Sequence, residues 1–127
     1  MKLKWSKQPT YKYPFVVRQC YGSDDLLIEF RCDHRSIGFP NMVSFLEENY
    51  GISIEPVSEG MVSYAIATDE FITKARCEKG AITITDDWCG LFITAEGRAN
   101  EIIGDIESIL LASGKFERLE VDSSKYT

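Results

Sequence analysis

Between Gly97 and Ser113 the apolar residues Ala99, Ile102, Ile103, Ile106, Ile109 and Leu110 are spaced 3, 1, 3, 3 and 1 apart. That spacing lines them along one side of an α-helix. Glu101, Asp105, Glu107 and Ser108 fall on the opposite, wet side. Gly114 follows where a left-handed residue is wanted to stop the helix. A helix with one continuous dry stripe cannot stand alone in water, because most helical stability comes from packing that stripe on something apolar. Its flanks indicate the covering surface. Leu91–Ala95 reads as a strand before the helix, and Phe116–Val121 as a strand after it.

The remaining strands are read from a period of two. Leu26, Ile28, Phe30 and Cys32 alternate with Glu29, Arg31 and Asp33, giving one dry face and one charged face. Tyr11, Tyr13, Phe15 and Val17 alternate with Lys12, Pro14 and Arg18, and Pro14 places this strand at a sheet edge. The turn Gly22-Ser23-Asp24-Asp25 joins the two strands into a hairpin. Asn41 caps a short helix over 42–50, stopped by Gly51. Residues 52–56 read as a short extended piece. Met61–Thr68 (Val62, Tyr64, Ile66), Phe71–Cys77 and Ala81–Thr85 read as strands, with tight turns at Glu78-Lys79-Gly80 and at 86–90. The expectation is an α+β domain: a mostly antiparallel sheet of about six to seven strands with two helices, in the order ββα-ββββ-αβ.

A chain of 127 residues is one domain by length, 1–127, with polar ends at 1–10 and 122–127 that are expected to lie loose. No apolar run approaches the length of a membrane span, and the lysines at the start precede no apolar stretch of the secretory kind. The expected location is therefore the cytoplasm, with Cys20, Cys32, Cys77 and Cys89 reduced and mostly packed as small hydrophobes. Net charge is −6 and distributed unevenly. Residues 1–18 hold five basic residues and no acid, whereas residues 19–127 hold 9 basic and 20 acidic ones, a net −11. Such a body repels nucleic acid and anionic membrane, and it speeds encounter with basic partners.

Searching for chemistry leaves little. The single histidine, His34, stands two residues after Cys32, but Cys32 belongs to the dry face, where a thiol is inert. The cysteine spacings contain no C-x2-C pair, the strong zinc signal. Neither a phosphate-binding loop nor a G-x-S-x-G elbow occurs. No residue is assigned a catalytic or metal-binding role, and no cofactor is expected. An aromatic and basic mixture suited to stacking nucleic acid bases occurs only around Trp5, Tyr11, Lys12, Tyr13, Phe15 and Arg18. Acidic pairs at turns remain: Asp24 and Asp25, Asp69 and Glu70, Asp86 and Asp87. Trp88 follows the last of these. It reads either as an interface anchor ringed by charge or as a core tryptophan closing one end of the sheet.

The run Asp86-Asp87-Trp88-Cys89-Gly90-Leu91-Phe92-Ile93-Thr94-Ala95, the helix around Asn100–Leu110, and Ser113–Val121 together resemble small bacterial immunity proteins. These are the cognate antitoxins of contact-dependent growth inhibition and other polymorphic toxin systems. The resemblance implies a protein that binds a delivered toxin domain, often a basic nuclease, and covers its active or substrate-binding surface. It lends no invariant catalytic residue. The expected partner is such a toxin domain, with no nucleic acid and no membrane, and the chain is a monomer or homodimer. The shortlist for partner binding is Asp24, Asp25, Asp69, Glu70, Asp86, Asp87 and Trp88, some of which must lie at opposite ends of the sheet. Two other readings stand beside it. One is a small-ligand or enzymatic domain built on Cys32 and His34. The other is a scaffold that self-associates through the edge strand 11–18.

Overall fold

The computed structural model describes residues 12–120. The expected loose ends, Trp5, Tyr11 and Val121 lie outside the described residues. The elements are β1 (Tyr13–Gln19), β2 (Leu26–Phe30), α1 (Met42–Tyr50), β3 (Ser53–Ile54), α2 (Glu59–Thr68), β4 (Phe71–Cys77), β5 (Gly80–Asp87), β6 (Gly90–Gly97), α3 (Ala99–Ala112) and β7 (Phe116–Arg118). The chain is an α+β protein with one seven-stranded sheet, ordered β3-β4-β5-β6-β2-β1-β7. Every pairing is antiparallel except β1 with β7. The sheet meets the expectation. The number of helices does not: among the described residues there are three, and the order is ββαβαβββαβ.

The correction falls on 61–68, expected as a strand and found inside α2. Ser58 caps this helix by accepting a bond from the Met61 N–H, and Glu59 sits in the first turn, where a carboxylate suits the helix dipole. Only Ala65 is buried; Val62, Tyr64 and Ile66 are exposed. A helix without a buried stripe shows no 3.6-residue signal, and its apolar residues alternate by accident. The short extended piece supplies the missing strand, since Ser53 and Ile54 pair with Arg76 and Ala75.

The second correction concerns strand 11–18. β1 lies between β2 and β7 and is not an edge. Phe15 is fully buried, and Tyr13 packs its ring on Phe39 and Phe116, so these aromatics are core and not a stacking platform. Pro14 is tolerated for another reason. Arg31 N–H donates to the Pro14 carbonyl just past the last paired residues of β1 and β2, so the N–H that proline lacks falls where the ladder ends. The expected hairpin of the two strands is present.

The core lies between one face of the sheet and α1 with α3. Phe15, Ile28, Phe30, Ile82, Ile84, Leu91 and Ile93 point inward to meet Leu46, Ile102, Ile103, Ile106, Leu110 and Phe116. Each large aliphatic side chain buried this way contributes about 1.5–3 kcal/mol. Gly114 has φ 75, the left-handed stop that the sequence requires after α3. At the β5–β6 pair, Gly80 faces Gly97; a Cβ on Gly80 would overlap the Glu96 carbonyl, so two strands meet there as only glycine allows. No helix among the described residues is long and apolar enough to cross a membrane.

Candidate functional site

One end of the sheet gathers polar chemistry. Phe71 opens β4 opposite Asp86 of β5, and Asp86 lies opposite Leu91 of β6. Above them runs the loop from Asp33 to Asn41. It is a fixed structure: the Ser36 N–H and hydroxyl both bond the Asp33 carbonyl, the Arg35 N–H bonds the Asp33 carboxylate, and the Phe39 N–H bonds the Ser36 carbonyl. Phe39 then pins the loop by stacking edge-on to Tyr13 and Phe30.

This loop delivers His34 and Arg35 to the acids. His34 Nε2 stands 2.9 Å from Asp86 Oδ1, with its side chain only 6% exposed. Arg35 donates from Nε to the same Asp86 oxygen at 3.0 Å and from Nη1 to Asp69 Oδ2 at 2.8 Å. Its Nη2 reaches the Asp69 main-chain carbonyl at 3.2 Å. Its bonds to Asp69, then to Asp86, push the Arg35 guanidinium above its usual range, so it keeps its charge. Asp69 is presented by an unusual backbone. It ends α2 with φ 56, the left-handed conformation that a short polar side chain tolerates. The Arg35 guanidinium also lies 5.9 Å from the Phe71 ring centroid, within cation–π range.

Between the loop and the sheet opens a cleft of about 460 Å³. Phe71, Ile84, Leu91 and Met42 make its apolar wall, and His34, Arg35 and Asp86 part of its polar rim.

Beyond the cleft, the hairpin of β5 and β6 closes through Trp88 and Cys89, since Asp87 pairs with Gly90. Neither loop residue has the positive φ of the tight primed turns usual for two-residue loops. Instead Asp87 Oδ1 accepts from the N–H groups of Cys89 and Gly90, at 2.8 and 2.9 Å. Trp88 is therefore held at a fixed tip and is 76% exposed. It does not close the core.

The shortlisted residues separate by role. Asp69 and Asp86 are joined by one arginine. Glu70 accepts from the Tyr64 hydroxyl. Asp87 builds the turn beneath Trp88. Asp24 and Asp25 lie in the β1–β2 turn at the other end of the sheet, the length of β2 away, or roughly 15 Å. There Asn100 of α3 accepts from the Leu26 N–H, and Tyr21 stands exposed. Arg35 and Phe71 were not among the sequence-derived candidates. Arg35 sits in a loop without periodicity, and Phe71 begins a strand like any core aromatic.

Cys32 packs against the core, and burial, followed by the nearby Asp33 charge, pushes its thiol above its ordinary value. It stays protonated at neutral pH and is a weak nucleophile, while His34 is engaged by Asp86. Cys77 also packs on the core, Cys20 is half-buried, and Cys89 is exposed. These features define an α+β protein with an exposed tryptophan at the same end of its sheet as an acidic, arginine-clasped cleft. No protein family matches the chain, and no curated protein or solved structure does.

Proposed function

We propose that this chain is a protein-binding inhibitor of the immunity type, which neutralises a basic toxin domain by covering its active or substrate-binding surface in the cytoplasm. The observation that carries the reading is Trp88, 76% exposed on a hairpin tip fixed by Asp87. A tryptophan left in water at a rigid position is the kind of residue that dominates interface energetics when a partner desolvates it. Phe71, 47% exposed, and Tyr64 lie toward the same end of the sheet and extend the apolar contact. Charge supports the same partner class. The net −11 of residues 19–127 steers a basic protein toward this surface and makes association fall with salt. An interface of ordinary size, ~1,600 Å², is enough for tight binding when a few anchors are well seated.

The test is a pair of pull-downs from the native cells, one with the tagged wild-type chain and one with Trp88→Ala, each washed at low and then high salt. The wild type is expected to retain one basic polypeptide carrying a toxin domain, released as salt rises. Trp88→Ala is expected to retain at least about tenfold less of it, since loss of an anchor costs 2 kcal/mol or more. Recovery of the bait alone, or capture indifferent to Trp88, overturns the reading.

A further inference from the structure

We infer that the cleft between the 33–41 loop and the end of β4–β6 is a receptor pocket for a basic side chain, an arginine or lysine inserted by the partner. This assignment rests on the protein-binding reading and specifies what the partner must present beside the surface that Trp88 touches.

The balance of charge in the cleft is the first reason. At the rim one cation, Arg35, stands against Asp86, which lines the cleft, and Asp69 beside it, and the Asp33 carboxylate accepts from the Arg35 N–H. A second cation is attracted, and an anion is repelled. The second reason is the unused valence of Asp86. His34 and Arg35 both bond its Oδ1. Among the described residues no donor bonds its Oδ2, and the side chain is 37% exposed. A carboxylate held at one oxygen by two neighbours is already oriented, so it receives a charged donor at its other oxygen with little ordering cost. The third reason is shape. The walls of Phe71, Ile84 and Leu91 suit the aliphatic stem of a long basic side chain, which buries its methylenes while its head reaches a carboxylate. The half-exposed Phe71 ring adds cation–π attraction. The clasp also fixes the geometry: Arg35 joins Asp86, in the cleft's lining, to Asp69 from a different element.

The pocket can be tested without any partner. The isolated chain, ¹⁵N- and ¹³C-labelled, is titrated with N-acetyl-arginine methylamide and, separately, with its norleucine and glutamate counterparts. The arginine probe is expected to shift resonances of Phe71, Ile84, Leu91 and His34 saturably. The norleucine probe should bind at least about fivefold more weakly, and the glutamate probe should leave these resonances unmoved. Asp86→Asn should weaken the arginine probe roughly tenfold, the loss of one charge-assisted hydrogen bond. Because Asp86 also holds the loop, a second variant is needed: Thr73→Phe, on the cleft-facing side of β4, fills the space and leaves every charge in place. It should abolish the shifts while the rest of the spectrum stays native. Equal response to arginine and norleucine, binding of the glutamate probe, or an unchanged arginine response in Thr73→Phe overturns the assignment. A pull-down that captures a partner while these titrations fail would retain the inhibitor reading and discard the pocket. Saturable arginine binding without any captured partner would do the reverse.

Discussion

Asp86 and Asp87 are neighbours in sequence and opposites in structure. Alternation along β5 turns Asp86 to the helix-covered side, where His34 and Arg35 hold it, and leaves Asp87 to build the hairpin tip. Their contributions can be separated. Asp87→Ala removes the acceptor for two N–H groups and is expected to lower stability by about 1 kcal/mol, read as a shift in the urea midpoint. Asp87→Asn keeps a side-chain oxygen in the same place and should be nearly neutral to folding. It would still slow association with a basic partner at low salt, because steering depends on charge and not on the turn. If the alanine and asparagine variants were equally destabilised, the turn would not depend on that side-chain oxygen.

At the scale of elements, α3 and α2 show the two ways a helix is held. α3 is fixed by burial: Ile102, Ile103, Ile106 and Leu110 are fully buried. Ile106→Ala should cost about 2–5 kcal/mol, depending on how far the core collapses into the space. Gly104 lies in the same helix, and a Cβ there would meet nothing within 4 Å. Gly104→Ala is therefore expected to raise stability by about 0.5–1 kcal/mol, measured by thermal or urea unfolding. A loss on that substitution would mean that the helix packs more closely there than the structure has it. α2 has one buried residue, Ala65, and relies on its caps: Ser58 at one end and the left-handed Asp69 at the other. Since Asp69 also meets Arg35, the end of α2 and the clasp are mechanically one unit.

For the molecule as a whole, acidity is a weakness that pairing offsets in places. The Tyr50 hydroxyl and Lys79 ammonium both bond Asp105 Oδ2 at 2.8 Å, tying the end of α1 and the β4–β5 turn to α3. The Lys79 bond, then the Tyr50 bond, hold the Asp105 carboxyl below its ordinary value near 3.8. A carboxyl depressed in the folded state adds stability that is complete above its unfolded pKa and is lost as pH falls through the folded one. This contribution is therefore present at neutral pH and fades below about pH 4. Urea midpoints measured from pH 7 down to 2 should show it: Asp105→Asn lowers the neutral midpoint and flattens the acid limb. An acid limb identical to the wild type would remove Asp105 from the account. The sheet's outer strands, β3 and β7, have two and three residues, and such short edges give another chain little backbone to pair with.

What the sequence determined by itself is whatever rests on a local period or a local stop. The α3 stripe with Gly114 behind it, the β1–β2 hairpin, the Asn41 cap of α1 and the run of antiparallel strands all follow from neighbours within a few residues, because side-chain direction repeats at 3.6 or 2. Where no face was buried, as in α2, the period carried no information and a helix read as a strand. The strand order, which put β7 beside β1 and removed its edge, depends on contacts between residues about a hundred positions apart. The candidate site is of the same kind. The acids and Trp88 were legible as turn residues, but their grouping was not. Arg35, Asp69 and Asp86 meet only because three separate elements end at one end of the sheet, and a hydrogen bond across 34 or 51 residues leaves no mark in local pattern. Burial decided the rest: Trp88 stands in water and His34 does not, a difference set by the packing of the whole domain.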